Sequence, residues 1–177
     1  MVNQFEIDVK KIREDARAHM TSGPVTATYE ADKSRVIDVL NTVIATEVVC
    51  FLRYSQHAIA ATGIDRAQVA AEFTEHAQEE MQHGLRAAER VSQLGGEPDF
   101  APATLAARSH TEYVTTDEND LQRMLSENLV AERIVITTYQ EIIRWIGSAD
   151  PTTRRLMESI LEEEEEHADD LLDLLGG

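Results

Sequence analysis

The sequence predicts an all-α protein, a four-helix bundle with one long crossover between its second and third helices. Four segments have helical periodicity, at about 34–61, 66–94, 117–146 and 151–175, and no segment alternates apolar and polar residues as a half-buried strand does. Glycine and proline fall between these segments, near residues 61–65, 95–102 and 147–151. The length of 177 residues is that of one domain.

The connections predict the topology. The first and second segments are separated by a few residues, as are the third and fourth, so each pair should form an antiparallel hairpin. Helices of this length are about 42–45 Å long. The connection at 95–116 is long enough, at about 3.3 Å per extended residue, to run the length of the bundle and start the third helix parallel to the second.

Residues at the helix ends support these boundaries. Asp65 with Gln68 has the spacing of a capping box, and Asp150 followed by Pro151 is typical of a helix start. Gly95 stands where a helix C-terminus favours a left-handed residue. We therefore predict a bundle domain at 34–177.

Residues 1–33 form a predicted N-terminal extension. Phe5, Val9, Ile12 and Ala16 recur at helical spacing, which indicates a short amphipathic helix. We expect this helix to dock on the bundle or on a neighbouring subunit.

The charge balance excludes several classes of protein. Sixteen Lys and Arg residues against 33 Asp and Glu residues give a net charge of −17, so we expect no direct nucleic-acid binding. Cys50 is the only cysteine, which excludes a disulfide framework and a Cys-rich metal site. The sequence shows neither a signal peptide nor an apolar run of membrane-spanning length, and we expect a cytoplasmic protein without membrane contact.

Six polar residues fall on the apolar faces of the predicted helices. They are one glutamate on each helix and two histidines, each three residues after a glutamate: Glu47, Glu80, His83, Glu132, Glu164 and His167. Four buried carboxylates need compensating positive charge. Two divalent cations would balance them, and oxygen and imidazole donors favour iron or manganese.

The two halves of the chain repeat this pattern. Glu47 with Tyr54 seven residues later is matched by Glu132 with Tyr139. Glu47 precedes the first Glu-x-x-His motif by 33 residues, and Glu132 precedes the second by 32. Such a pair of motifs is described for di-iron carboxylate bundles.

On these residues the chain resembles the bacterioferritin-type members of the ferritin-like superfamily over about residues 34–175. The resemblance implies a ferroxidase centre with Glu47 and His83 on one iron and with Glu132 and His167 on the other. It also implies that Glu80 and Glu164 bridge the two irons. Two further positions match the family: Tyr54, a tyrosine that hydrogen-bonds near the site, and Met81, the methionine that ligates haem in bacterioferritins. At Met81 we expect an ordinary surface or interface residue and no haem.

The resemblance implies iron storage and detoxification: Fe(II) is oxidised by O2 or H2O2 and stored as mineral inside a homo-oligomeric shell. A 12-mer is favoured over a 24-mer, because the N-terminal extension, the longer crossover and the missing fifth helix are similar to the Dps-like relatives. Two alternatives remain, a Dps-like mini-ferritin that consumes peroxide and a di-metal oxidase without storage. The sequence leaves the oxidant open.

Several nearby residues receive weaker predictions. We expect the other glutamates of the run 162–166 to form a solvated or cavity-facing surface. Glu75 and Glu79 could hold iron transiently on an inner surface, but we favour a simple exposed pair. His76 is either a neighbour of the metal ligands or a histidine satisfied in the core. Asn128 is a candidate hydrogen-bond partner of a ligand, and Cys50 a small buried filler.

Overall fold

A computed structural model describes residues 6–116 and 120–176. These residues form helices and no strand, which confirms the predicted all-α class. The helices are α1 (Val9–Ala18), α2 (Lys33–Ala60), α3 (Arg66–Gln93), α4 (Leu105–Arg108), α5 (Leu121–Ile146) and α6 (Pro151–Leu174). In the part of the chain that the structure describes, no helix combines the length and apolar character that crossing a bilayer requires.

Helices α2, α3, α5 and α6 form the bundle. Side-chain contacts show that α2 is antiparallel to α5, because Glu47 meets Tyr139 while Arg53, further along α2, meets Asn128. Helix α3 is likewise antiparallel to α6, since His83 contacts Glu164 while Arg90, further along α3, contacts Thr153 near the start of α6. Helix α5 therefore runs parallel to α3, as the long crossover predicted.

The crossover lies along α2. The Asn41 amide donates to the carbonyl oxygen of Glu97 at 3.3 Å, and Arg53 donates to the carbonyl oxygen of Glu112 at 3.1 Å. Between these points the Thr46 hydroxyl lies 3.1 Å from the His110 ring nitrogen Nδ1. The short helix α4 lies within this connection and was not predicted. Residues 117–119, which the sequence assigned to the third helix, lie outside the described residues.

The three predicted helix boundaries are confirmed, since α3 begins at Arg66 directly after Asp65, but one of the predicted caps is not formed. Asp150 accepts a hydrogen bond from the Thr153 amide at 2.9 Å, with Pro151 in the first turn. Gly95 has φ +80°, and the amides of Gly95 and Gly96 close the end of α3 as a Schellman motif. The capping box at Asp65 is wrong, because that residue makes no side-chain cap hydrogen bond. Its ψ of 7° departs from the extended backbone of an N-cap residue.

The predicted N-terminal helix exists, but it does not dock on the bundle of its own chain. No residue of α1 is buried, and Val9 and Ile12 are 43% and 52% exposed. Phe5 lies outside the described residues, and docking on a neighbouring subunit stays a prediction. The segment after α1 does pack on the core through Val25 and Tyr29, and the Tyr29 hydroxyl donates to Asp150 at 2.8 Å.

The apolar core consists of two blocks. The larger block includes Val36, Leu40, Ile44, Val91, Val135 and Ile160, and the smaller includes Phe73, Met124, Leu125 and Leu171. Between them, near the middle of the four long helices, lies a layer of buried polar side chains. This layer is the candidate site.

Candidate metal centre

The six sequence-predicted ligands lie together in the polar layer. All are buried, with His167 at 2% exposure and the other five at 0%. They form two overlapping groups, one of Glu47, Glu80, His83 and Glu164 and one of Glu80, Glu132, Glu164 and His167. Within each group the candidate ligand atoms lie within 4.8 Å of one another. Glu80 and Glu164 belong to both groups, as bridging ligands would.

Both histidines direct Nδ1 towards the carboxylates. His83 Nδ1 lies 2.9 Å from Glu164 Oε1 and 3.4 Å from Glu47 Oε2. His167 Nδ1 lies 3.6 Å from Glu80 Oε1 and 3.5 Å from Glu164 Oε2. Donor atoms about 2.1 Å from a shared metal are separated by roughly 3.0–3.4 Å at ordinary coordination angles. The described separations are close to this range, so each group can hold one cation.

Two tyrosines hydrogen-bond to Glu47 and Glu132, the two glutamates that belong to only one ligand group each, and each bond connects α2 with α5. Tyr54 on α2 donates its hydroxyl proton to Glu132 on α5, and Tyr139 on α5 donates to Glu47 on α2. The sequence singled out Tyr54 alone as a site residue. The matching Glu-x6-Tyr spacing in both halves was the signal for Tyr139.

The outer nitrogen of each histidine contacts a glutamate from the opposite helix. His83 Nε2 lies 2.9 Å from Glu163 Oε2, and His167 Nε2 lies 2.8 Å from Glu79 Oε2. The expectation of a simple exposed Glu79 is therefore wrong. Glu163 is partly exposed and lines a cavity, as expected of a solvated or cavity-facing residue, but its contact with His83 was not predicted. Carboxylates in this position fix the orientation of a metal-ligating imidazole. Their signal was a glutamate pair before each histidine, Glu-Glu-x-x-His, which occurs in both α3 and α6.

Protons balance the charge of the metal-free site. Burial, with the negative charge of Glu164, raises the pKa of Glu80 well above its ordinary value and that of Glu132 to about 8. Burial alone would lower the pKa of each histidine, but hydrogen bonds that the rings donate to the neighbouring carboxylates raise it to about 11 for His83 and about 10 for His167. The same contacts hold the pKa of Glu164 below its ordinary value, although burial opposes this. At neutral pH two imidazolium ions thus lie against the carboxylate of Glu164.

Comparison with known proteins places this architecture in a family. A family model described as the ferritin-like domain matches residues 37–177. The chain belongs to the ferritin-like family. A bacterioferritin from Desulfovibrio desulfuricans is 29% identical over 139 residues, which are 78% of this chain and 73% of that protein.

Two further relatives have names that describe different properties, DNA binding in one and a dodecameric assembly in the other. A nutrient stress-induced DNA-binding protein from Synechococcus sp. is 26% identical over 136 residues, 76% of this chain and 77% of that protein. The solved structure of a dodecameric thioferritin, the bacterioferritin-related protein from Bacteroides fragilis, has a TM-score of 0.80 and 31% identity. That likeness covers 94% of this ferritin-like chain and 93% of the other.

Other predicted residues of this ferritin-like chain lie outside the ligand cluster. Asn128 contacts Arg53 Nε at 2.8 Å and His57 Nδ1 at 3.1 Å, so the expected contact with a candidate ligand is not found among its described hydrogen bonds. Cys50 is buried with its Sγ 3.5 Å from the Thr111 hydroxyl, as a buried filler should be. Met81 is partly exposed on α3, and its expected lack of a haem role stays a prediction.

Arg53 is a buried cation that the sequence did not predict in the core of this ferritin-like bundle. Its side chain is enclosed because the Glu112 carbonyl, the Asn128 amide oxygen and the Cys50 sulfur surround the guanidinium. Two of these partners come from the crossover and from α5. No local pattern on α2 reveals them.

His76 is not the satisfied core histidine that the sequence left as one alternative. It is buried, but neither ring nitrogen has a hydrogen-bond partner in the described structure. Burial, together with the charge of His167, lowers its pKa to about 3, so the ring is neutral. It stacks on His167, with ring centroids 4.1 Å apart.

Proposed function

We propose that this chain is an iron-storage subunit that oxidises Fe2+ at a two-metal centre within the bundle. The observation that carries the proposal is the pair of overlapping ligand groups sharing Glu80 and Glu164. Each group supplies three carboxylates and one imidazole from fully buried positions. Two divalent cations would neutralise four carboxylates, and the absence of a thiolate among these ligands suits iron.

We assign the ligands as follows. Glu47 and His83 bind one Fe2+, Glu132 and His167 bind the other, and Glu80 and Glu164 bridge them. Tyr54 and Tyr139 orient the two outer carboxylates, while Glu163 and Glu79 orient the imidazoles. The apolar blocks on both sides of the polar layer keep the ligands fixed and limit the access of water.

The reaction removes one electron from each of two substrate Fe2+ ions. If O2 is the oxidant, it accepts the two electrons and two protons to give H2O2; if H2O2 is the oxidant, the same electrons and protons give two water molecules. Shared carboxylates hold the two irons close enough to deliver both electrons to one oxidant molecule. The Fe3+ products then leave the centre and are stored as ferric oxyhydroxide.

We propose that twelve chains form the hollow shell that holds this mineral. The bacterioferritin-related protein from Bacteroides fragilis, a dodecamer, supports this assembly through its likeness over nearly the whole chain. The net charge of −17 per chain would make the interior of such a shell attractive to Fe2+. The same charge disfavours direct DNA binding, although one relative is named as a DNA-binding protein.

Iron titration of the purified protein tests the proposal. We expect a rapid oxidation phase that saturates at two Fe2+ per chain, and a particle of about 240 kDa for twelve 19.8-kDa chains by light scattering. Parallel runs with O2 and with H2O2 under anaerobic conditions identify the oxidant. Absence of a saturable rapid phase with both oxidants would contradict the proposed centre.

Replacing Glu163 with glutamine is expected to slow Fe2+ oxidation by about ten- to a hundredfold. The variant keeps the size of the side chain but removes the charge that fixes His83 through Nε2. Stopped-flow absorbance at limiting iron measures the rate. The control is Glu165→Gln, two positions away on the exposed side of α6. Equal rates in the two variants would show that Glu163 does not support the site.

A further inference from the structure

The two halves of the centre differ in the charged residues that surround the glutamate beside each histidine. Three residues after His83 stands Arg86, whose Nη1 lies 2.7 Å from Glu163. Three residues after His167 stands Asp170 instead. The carboxylate outside His83 is therefore paired with an arginine as well as with the histidine, whereas no described arginine or lysine pairs with Glu79 outside His167.

A cavity of about 130 Å³ opens on the side of His167. Every described residue that lines it is glutamate, aspartate or histidine, and no described lysine or arginine takes part. Its walls include half-buried Glu72 and Asp170, with 29% and 47% of their side chains exposed. His167, one of the proposed Fe2+ ligands, also lines it. The cavity thus extends from solvent to the outer face of His167.

His76 lies in this cavity without a hydrogen-bond partner. Its side chain is 1% exposed, and both ring nitrogens are unsatisfied. Nε2 nevertheless lies 3.3 Å from Glu72 Oε1 and 3.6 Å from Asp170 Oδ2, and the three candidate ligand atoms lie within 4.8 Å of one another. A buried polar group without a partner is costly, and these separations suit a shared metal ion.

The second half of the chain has no equivalent group. His76 stands four residues before Glu80, and the matching position before Glu164 is Ile160, which is fully buried in the apolar core. The unpaired histidine is therefore a feature of the open side alone.

We propose that Glu72, His76 and Asp170 form a third divalent-cation site, through which Fe2+ enters the centre on the His167 side. Binding at this site stands on its own geometry, while the supply of Fe2+ rests on the proposed function. Two carboxylates and one imidazole, with water completing the coordination, make a weaker and more exposed site than the two deep ones. Such a site can take up Fe2+ and release it inward.

Binding of Mn2+ alone tests the site without any oxidation. We expect calorimetry to show three Mn2+ per chain in the wild type and two in Asp170→Asn, with the affinity for the third ion reduced by about tenfold or more. Glu72→Gln should behave in the same way. Asp169→Asn, an exposed neighbour with the same change of charge, should keep three. Anomalous diffraction from Mn2+-soaked crystals should place the third ion between Glu72, His76 and Asp170.

The outcomes separate this inference from the proposed function. Two tightly bound ions in the wild type, with no third, would overturn the inference and leave the centre standing. A third ion retained in both Asp170→Asn and Glu72→Gln would overturn it as well. Loss of the deep ions in Glu80→Gln with retention of the third ion would support the separate site, whereas a wild type binding only the third ion would overturn the proposed function alone.

Oxidation kinetics test the path of entry. In Asp170→Asn we expect the rate at limiting Fe2+ to fall several-fold, while the maximal rate at saturating Fe2+ stays near that of Asp169→Asn. This pattern is a rise in KM with little change in kcat, as loss of a supply site requires. An unchanged rate at limiting Fe2+ would show that iron enters by another route.

Discussion

Glu80→Ala is expected to reduce the rate of rapid Fe2+ oxidation by more than a hundredfold. Loss of a residue that only hydrogen-bonds to a metal ligand lowers such a rate by roughly ten- to a hundredfold. Glu80 is shared by both ligand groups, so its removal affects both proposed iron positions at once. The centre would also keep excess positive charge when two Fe2+ ions are bound in a fully buried site. Stopped-flow absorbance of Fe2+ mixed with O2 or H2O2 measures the rate.

Two variants provide the comparison. Tyr54→Phe removes one hydrogen bond to Glu132 and should cost about a hundredfold at most. Glu89→Ala removes an exposed glutamate from the same helix and should oxidise iron at the wild-type rate. Circular dichroism verifies that all three variants are folded. A Glu80→Ala protein as fast as Glu89→Ala would refute the ligand assignment.

The metal-free protein is expected to lose stability as pH rises from 5 to 9. The pKa of Glu132 is raised to about 8 and that of Glu80 is also raised, so their energetic penalty is absent at low pH and grows as pH passes the unfolded and then the folded values. The raised pKa values of His83 and His167 act in the same direction. Their stabilisation is complete below about pH 6.5 and disappears towards pH 10–11. Each group contributes up to about 1.4 kcal/mol per pH unit, so the Tm should fall by several degrees or more.

Bound metal should remove the loss of stability that the metal-free protein shows as pH rises. At pH 7 the metal-free site holds protons on Glu132, His83 and His167, and these residues must release them to bind cations. The raised pKa of Glu80 acts in the same direction. Mn2+ binding should therefore release protons, about three per chain or more, and should become tighter as pH rises. Thermal melting at several pH values and proton release into a weak buffer measure the two effects. An equal pH-dependent gain in Glu80→Gln, or no gain in the wild type, would show that these residues do not form the site.

Helical periodicity predicted much of this molecule because the bundle depends on it. Glu47, Glu80, Glu132 and Glu164 fall on the apolar faces of their helices, and that placement alone brings them into one layer. The length of the crossover predicted that α5 runs parallel to α3. Both inferences use only spacing along the chain and the distances that helices and loops can span.

The residues that escaped prediction depend on contacts between distant segments. Glu79 and Glu163 lie beside the apolar stripe, and their role becomes visible only when α3 and α6 are placed side by side. Arg53 is buried because the crossover covers it, and the crossover lacks the helical periodicity from which its contacts could have been predicted. Asp65 failed as a cap because local backbone geometry, which the residue type does not determine, sets the side-chain direction.

The polar layer that divides the apolar core has a consequence for how the protein opens. Each apolar block has its own packing, and the metal-free protein joins the blocks through a layer held by protons and hydrogen bonds. Such blocks can open as separate cooperative units, which amide hydrogen exchange detects as distinct sets of protection. Bound cations would tie α2, α3, α5 and α6 together at mid-length. Iron would then merge the two units, and the loaded subunit would exchange its amides as a single body.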